Sequence, residues 1–263
     1  MSTTHVSSPH PGLGSPYNLE TVAYEGCKIY RAFFRTDAEK LAALLPDGVE
    51  PVEAGELLLY GAEMQMQGSA GVYGVSQEIH SYKEYGLVVP SRVKRQNGAI
   101  TEGMYALGLF LDHFEYVTPG RERWGWPKKD CVSKINADHT GTSANLEFSR
   151  GEHLLAKVAV SFPQSFAQSK LPEPITLEET WLNWKIIPSV TGEGLDINQL
   201  TEATLPIMVR SYSEGTVEHL ALHNGPADYL AEALPVIEPG KALYLEVDFS
   251  LSNGAVIFDY LNR

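Results

Sequence analysis

Apolar and polar residues alternate along most of this chain, and a period of two is typical of half-buried β-strands. Residues 21–35 are rich in β-branched and aromatic side chains, and residues 57–66 and 104–114 are largely apolar runs; all three predict long strands. Between residues 131 and 162, further runs are separated by segments rich in Asp, Gly and Ser, which predicts a meander with tight turns. Similar runs follow towards the C-terminus, so the chain is expected to be mostly β-sheet.

Helical patterns are few. Residues 36–46 have leucines at helical spacing and end at Pro46, and Thr36 with Glu39 forms a predicted capping box. A second short helix is predicted within residues 226–234. Because strands and helices do not alternate, a doubly wound parallel sheet is not expected. The predicted fold class is α+β: mainly antiparallel β-sheet, curled into a cone-like barrel with a few short helices.

Composition narrows the class of protein. The 263 residues carry a formal net charge of -13, which disfavours nucleic acid and anionic membranes as partners. Residues 1–16 are rich in Ser, Thr, Pro and Gly and predict a flexible tail before one domain at 17–263. With no signal-peptide pattern, no apolar run of about 18 residues and two isolated cysteines, the sequence predicts a reduced, cytoplasmic protein. Histidines and cysteines lack ligand spacing, so no metal site is predicted.

The stretch GRERWGWPKKDC, residues 120–131, places two lysines directly after tryptophans and a proline. Paired lysines are usually a solvated loop, and a nucleophilic amine is the alternative. An ordinary lysine has a pKa of about 10.4, so only about one in 2,500 is neutral at pH 7 and able to attack a carbonyl. Burial beside Trp124 and Trp126 and a cation at Lys129 would each lower the pKa of Lys128. Since successive side chains of an extended segment point apart, burial is the stronger expectation.

This stretch resembles the active-site loop of the acetoacetate decarboxylases, which have Gly-Arg-Glu, a short variable stretch, an aromatic residue and Pro-Lys-Lys. Here Gly-Arg-Glu occupies 120–122 and Trp-Pro-Lys-Lys occupies 126–129. The resemblance runs from about residue 20 to the end, through RTD at 35–37, KIIP at 185–188 and VIFDYL at 256–261. It implies a cone-like barrel, a homo-oligomer, Lys128 as the Schiff-base lysine and Lys129 as its cationic neighbour. Acetoacetate decarboxylase is itself the usual example of a lysine activated in this way.

The resemblance also indicates a carboxylate in the pocket. The family has a Tyr-x-Glu stretch with a proline six positions after the glutamate, and Tyr82, Glu84 and Pro90 match it. Glu84 is therefore the candidate catalytic carboxylate and Tyr82 a candidate for the pocket wall. The alternative for Glu84 is a surface glutamate beside Lys83.

Three further residues are candidates for substrate binding. A second family glutamate belongs on the strand at 57–66, where Glu63 is the only carboxylate, although a gapless alignment places Tyr60 there. The alternative for Glu63 is a charge facing water. Trp126 and Tyr260 are candidates for the pocket wall, or they fill the core, as aromatic residues in strands commonly do.

One departure from the family lies near the N-terminus. The decarboxylases have an arginine about eight residues before Arg-Thr-Asp, which orients the pocket glutamate and helps with the substrate carboxylate. Counting back from Arg35 reaches Cys27. Lys28 would point to the opposite face of a strand, and Arg31 shares the face of Cys27 but lies further along. The group that handles a substrate carboxylate is therefore expected to differ from that of the family.

The predicted function is a Schiff-base lyase that decarboxylates a small β-oxo acid of the acetoacetate type through a lysine iminium and enamine. No metal or organic cofactor is expected, because the amine itself acts as the electron sink. The alternative is a pyruvate-type aldolase-dehydratase, or retro-aldolase, that uses the same lysine. A non-catalytic small-molecule binding protein is a third hypothesis. The expected partner is thus a small oxo acid, with no nucleic acid or membrane.

Overall fold

The computed structural model of the chain describes residues 6–7, 16–17, 21–67 and 79–262. Strands dominate these residues: β1 (Val6–Ser7), β2 (Pro16–Tyr17), β3 (Val22–Arg35), β4 (Val49–Pro51), β5 (Glu56–Met66), β6 (His80–Lys94), β7 (Ile100–Leu111), β8 (Lys128–Asp130), β9 (Val132–Ala137), β10 (Ser143–Arg150), β11 (His153–Ser161), β12 (Lys170–Pro188), β13 (Leu195–Leu222), β14 (Asn224–Gly225), β15 (Asp228–Tyr229), β16 (Glu238–Leu251) and β17 (Ala255–Asp259). The helical segments are short: α1 (Ala38–Ala43), a 3-10 turn (Phe114–Tyr116), α2 (Val117–Pro119), a π-helical turn (Gly120–Trp124) and α3 (Leu230–Ala233).

The main sheet closes on itself. Its strands follow the order β12-β7-β6-β5-β3-β16-β13, and β13 also pairs with β12, so these seven strands form a barrel. The contact between β12 and β7 is parallel, and the other contacts around the barrel are antiparallel. Strand β13 continues past the barrel to pair with β11, beyond which lie β10 and β9. The predicted fold class is confirmed.

The barrel strands bury a different core on each face. On β5, Tyr60 and Met64 belong to the interior cluster, whereas Leu57 and Leu59 pack against β10 and β11 in an outer cluster. The separation follows from the two-residue period of a strand. A side chain's position in the sequence therefore decides whether it can reach the barrel interior.

One irregularity decides which residues of β3 face inward. Tyr24 faces the interior, but Gly26 adopts a φ of 68° and the register with β5 shifts beyond Tyr24. A β-bulge of this kind reverses the alternation of a strand. Past it, Cys27 and Arg31 share the interior side, as the sequence predicts, and the side chain of Lys28 is exposed.

The two predicted helices are present, with one correction. The side chain of Asp37, not Thr36, caps α1: its Oδ1 accepts hydrogen bonds from the backbone N–H groups of Glu39 and Lys40, both at 3.0 Å. The predicted capping box was wrong because Thr36 precedes the cap residue and its side chain is buried. Helix α3 lies inside the predicted interval 226–234.

Most of the predicted tail at 1–16 lies outside the described residues, and the domain limits stay a prediction. Its described parts belong to β1 and β2, which pair with each other in an antiparallel manner. Within the described ranges, no helix is both long and apolar enough to cross a membrane.

Candidate active site

Lys128 lies at the start of β8, directly after the loop of tryptophans. β8 pairs in parallel with β7, with Lys128 opposite Leu109, and this places the lysine against the interior of the barrel. Gly120 makes room for it: a Cβ at Gly120 would lie 2.5 Å from Cδ and 2.9 Å from Cε of Lys128. The π-helical turn then ends at Gly125, whose φ of 82° a larger residue would rarely adopt. The glycines of this stretch thus let the chain wrap closely around the lysine side chain.

The amine of Lys128 is buried and has a carboxylate partner. Its Nζ donates to Oε2 of Glu84 at 2.8 Å, and both side chains are 6% exposed. Glu84 lies on β6, where its neighbours Tyr82 and Val88 also belong to the interior cluster. The predicted pocket position of Glu84 agrees with this geometry, and its alternative as a surface residue does not.

Tyr60 completes a short chain of hydrogen bonds. Its hydroxyl donates to Oε1 of Glu84 at 2.7 Å, so the two oxygens of Glu84 have different partners. Burial and the adjacent Glu84 carboxylate raise the pKa of Tyr60 well above its ordinary value. Tyr60 is therefore a fixed hydrogen-bond donor. Gly86, opposite it on β6, provides the space for its ring.

Tryptophans form the wall beside the amine. Nζ of Lys128 lies 5.1 Å from the ring centroid of Trp126, within the range of a cation–π contact. Trp126 stacks on Trp124 at 5.1 Å and meets Trp181 edge-on at 6.4 Å. Trp181 also meets Tyr60 edge-on at 6.0 Å. These rings hold the lysine and its hydrogen-bonding partners in a mostly apolar environment.

The space beside Lys128 is a cavity of about 100 Å³ that is partly open to solvent. Besides the polar groups, its lining is largely aliphatic and aromatic: Tyr24, Ile29, Met64, Tyr82, Leu109, Leu177, Leu205, Ile207, Val209, Leu245, Val247, Phe249 and Leu251. It is smaller than an engineered cavity of about 150 Å³ that accepts benzene. A ligand that fits it has only a handful of non-hydrogen atoms.

A second ion pair borders the same cavity. Nη2 of Arg31 on β3 donates to both carboxylate oxygens of Glu179 on β12, at 3.0 and 2.8 Å. Nε1 of Trp181 also donates to Glu179, at 3.1 Å. The two charged side chains are 15% and 14% exposed, so they are more accessible than Lys128. The cavity therefore contains a guanidinium, although Cys27 stands where the resemblance in sequence led us to expect an arginine.

Cys27 itself is fully buried in the interior cluster. Its Sγ accepts a hydrogen bond from the backbone N–H of Gln65 at 3.4 Å, and burial raises its pKa to about 11. A thiol in this state is inert near neutrality.

Lys129 does not join the cavity. Its Nζ donates to Oδ1 of Asp228 at 2.6 Å, and Arg150 donates to the other oxygen of Asp228 at 2.7 Å. Burial would raise the pKa of Asp228, but these hydrogen bonds outweigh it and hold the pKa below its usual value. The expected effect of Lys129 as a cationic neighbour is not supported, because adjacent side chains of β8 face opposite ways. The side chain of Lys129 is 43% exposed.

Two other predicted site residues lie elsewhere. Glu63 is one residue out of phase with Tyr60 and Met64, so it faces outward, 4.0 Å from Lys28, and its side chain is 37% exposed. Tyr260 follows β17, and its hydroxyl donates to the backbone oxygen of Asp47 at 2.8 Å. Neither residue lines the cavity.

Tyr82 and Trp126 do line the cavity, as predicted. Arg31, Glu179 and Trp181 also line the cavity, and none of them was predicted from the sequence. Glu179 is 148 positions from its partner Arg31, and no motif links them. For Tyr60, the group beside Glu84, the sequence offered one signal: a gapless alignment places Tyr60 at the position of the second family glutamate.

The fold and the site together define a class: a closed, mainly antiparallel barrel around a buried lysine–glutamate pair. Comparisons with known proteins agree. The family model described as "Acetoacetate decarboxylase (ADC)" matches residues 11–261. A protein named acetoacetate decarboxylase from Paraburkholderia xenovorans is 32% identical over 240 residues, covering 88% of this chain and 83% of the relative. The chain belongs to the acetoacetate decarboxylase family.

Solved structures show the same fold. The crystal structure of acetoacetate decarboxylase from Legionella pneumophila superposes with a TM-score of 0.76 at 25% identity, covering 97% of this chain and 94% of that one. The enduracididine biosynthesis enzyme MppR complexed with pyruvate gives a TM-score of 0.77 at 15% identity, covering 98% of this chain and 100% of that one. At that identity the second likeness shows the fold alone.

Proposed function

We propose that the protein is a Schiff-base lyase that decarboxylates a small β-oxo acid through Lys128. The observation that carries the proposal is the burial of the Lys128 amine in an apolar cavity, 2.8 Å from the carboxylate of Glu84. A nucleophilic amine needs a base within hydrogen-bonding distance, and Glu84 meets that requirement.

The steps follow from that geometry. Glu84 takes a proton from Lys128, and the free amine adds to the ketone carbon of the substrate. Loss of water, with a proton returned by Glu84, gives an iminium. The carbon–carbon bond to the carboxylate breaks, carbon dioxide leaves, and its electron pair enters the iminium to form an enamine. Protonation of the enamine carbon and addition of water then release the ketone and restore the amine.

The size and lining of the cavity support a small substrate. A space of about 100 Å³ suits a short oxo acid of the acetoacetate type. The apolar walls keep water from the amine, and this strengthens the electrostatic effect of Glu84 on the iminium.

Tyr60 favours a second candidate, a pyruvate-type aldolase-dehydratase or retro-aldolase with the same lysine. The hydroxyl beside Glu84 is a hydrogen-bond donor, where the family relationship suggests a second carboxylate. An aldol step needs a donor at the oxygen of the aldehyde, and loss of water needs a donor at the departing hydroxyl. MppR, which shares the fold, is known as a complex with pyruvate.

Borohydride trapping tests the lysine chemistry. The protein is incubated with acetoacetate, or with pyruvate and an aldehyde, then reduced with borohydride and mapped by peptide mass spectrometry. An adduct on Lys128 is expected and should disappear in Lys128→Ala. Release of carbon dioxide from acetoacetate identifies the decarboxylase, and a conjugated product from pyruvate and an aldehyde identifies the aldolase.

Lys129→Ala is the matched control, because it removes the adjacent amine, which faces Asp228. It should retain the Lys128 adduct and the pH profile of its formation. If no oxo acid leaves an adduct on Lys128, the lyase is refuted and the non-catalytic binding protein is favoured. Assembly as a homo-oligomer and a cytoplasmic location stay predictions, and light scattering tests the first.

A further inference from the structure

The ion pair of Arg31 and Glu179 leaves part of the guanidinium available. Both hydrogen bonds to Glu179 use Nη2, so the donors on Nε and Nη1 are not engaged with that carboxylate. A guanidinium has five N–H donors and can serve two carboxylates at once. Arg31 lines the cavity and lies opposite Tyr60 in the register of β3 and β5.

Glu179 is fixed from two sides. Arg31 holds both of its oxygens, and Nε1 of Trp181 donates to Oε1. Trp181 is itself in edge contact with Tyr60 and Trp126. Glu179 therefore holds the guanidinium in one place relative to the wall beside Lys128.

The charges around the cavity balance. Among the described residues that line it, the charged side chains are Lys128 with Glu84 and Arg31 with Glu179. A buried charge without a partner is costly. One incoming carboxylate can use the remaining donors of Arg31, but a second carboxylate on the same ligand would have no cation of its own.

We infer that Arg31 forms a subsite for the carboxylate of the oxo-acid substrate, and that Glu179 positions Arg31 and limits the site to monoanions. The inference rests on the proposed function for the identity of the substrate, but carboxylate binding can be measured without any turnover. It assigns the carboxylate-binding role to a residue four positions beyond Cys27, reached because the bulge at Gly26 turns both side chains inward.

The test uses matched four-carbon probes: butyrate as the monoanion, succinate as the dianion and butanone as the neutral ketone. Binding of butyrate and succinate is measured by NMR titration, and butanone is trapped on Lys128 with borohydride. Butyrate should bind the wild-type protein at least about tenfold more tightly than succinate, since a second buried charge lacks a partner. Absence of butyrate binding would overturn the subsite.

Arg31→Gln should weaken butyrate at least about tenfold, the scale of a lost charge-assisted hydrogen bond, with the butanone adduct unchanged. Arg31→Lys keeps the charge without the planar donor array and should give an intermediate loss. Arg92→Gln removes an exposed arginine paired with Glu50 and should leave all three probes unchanged. If Arg31→Gln leaves butyrate binding intact, or reduces butyrate binding and butanone trapping equally, the subsite is refuted.

Glu179→Gln tests the selection by charge. The amide keeps one acceptor oxygen for Arg31 but removes the negative charge, so binding of succinate relative to butyrate should increase. An unchanged ratio of the two acids contradicts the role of Glu179. If the wild-type protein binds butyrate through Arg31 but traps no ketone, the lyase proposal fails and the subsite stands. If the wild-type protein traps ketones but Arg31→Gln does not weaken butyrate binding, the subsite fails and the lyase proposal stands.

Discussion

Replacement of Glu84 by glutamine should destabilise the protein far more than an ordinary loss of a surface charge. Both members of the Lys128–Glu84 pair are 6% exposed, and the change leaves Lys128 buried without its carboxylate. Glutamine keeps one acceptor oxygen where Glu84 has two, so either Tyr60 or Lys128 loses its acceptor, and the negative charge is lost as well. Breaking a buried pair in this way typically costs about 3–5 kcal/mol.

An independent bound gives a similar magnitude. The folded variant can avoid the unpaired charge by releasing the proton of Lys128. For an ordinary lysine with a pKa of about 10.4, release at pH 7 costs about 4.6 kcal/mol, at about 1.4 kcal/mol per pH unit. The loss of stability at pH 7 should therefore lie between about 3 and 4.6 kcal/mol.

The stability of Glu84→Gln should also depend on pH. If the folded variant holds a neutral Lys128 and the unfolded chain holds the ammonium, the unfolded state binds more protons and stability rises with pH. The gap between the wild-type protein and Glu84→Gln should then shrink by about 2.7 kcal/mol between pH 7 and pH 9.

Urea unfolding at the two pH values measures this gap, with Glu63→Gln as the control. Glu63 lies on the neighbouring strand, is 37% exposed and is 4.0 Å from Lys28, so its replacement should cost no more than about 1 kcal/mol. A loss for Glu84→Gln as small as that of the control, or equal at both pH values, would refute the electrostatic reasoning.

Three further predictions follow from contacts elsewhere in the structure. Gly120→Ala places a Cβ 2.5 Å from Cδ of Lys128, so it should cost about 1–3 kcal/mol and slow the trapping of ketones; an unchanged trapping rate would contradict the close approach. Asp228→Asn should cost about 1–3 kcal/mol at pH 7 in urea unfolding. Because hydrogen bonds from Lys129 and Arg150 lower the pKa of Asp228, the stabilisation by this carboxylate is lost as the pH falls through its folded-state value, so wild type and variant should converge in acid; a constant gap contradicts this. The pKa of Cys27 is raised to about 11 by burial, so iodoacetamide at pH 8 should label it only in urea, and rapid labelling of the native protein would disprove its burial.

The alternation of side chains explains what could be predicted from the sequence. The period of two identified the strands, and it also separated Lys128 from Lys129, which face the cavity and Asp228 respectively. Glu84 was assigned to the pocket from its match to the family's Tyr-x-Glu pattern, and its contact with Lys128 agrees with that assignment. Glu63 was assigned to the pocket because it was the only carboxylate on its strand, yet its phase relative to Tyr60 puts it outside.

The positions of Arg31 and Glu179 in the cavity could not be predicted, because they depend on contacts between strands that are distant in the sequence. Arg31 reaches the cavity because the bulge at Gly26 shifts the phase of β3. An isolated glycine in a strand is compatible with a bulge, but the sequence does not show whether the bulge forms or which face follows it. Glu179 meets Arg31 only because β12 and β3 both border the closed barrel. Strand order sets such pairs, and hydrophobic periodicity in one sequence carries no information about it.

The ion pair of Lys128 and Glu84 explains why the site suits an iminium. An ammonium facing the Glu84 carboxylate carries the same net charge as an iminium at the same nitrogen. Glu84 at 2.8 Å and the ring of Trp126 at 5.1 Å are therefore already arranged for the charge of the intermediate. Electrostatic groups fixed in advance need no rearrangement when the charge develops. It follows that Glu84→Gln should impair iminium formation as well as folding, whereas a surface replacement such as Glu63→Gln should leave iminium formation unchanged and cost little stability.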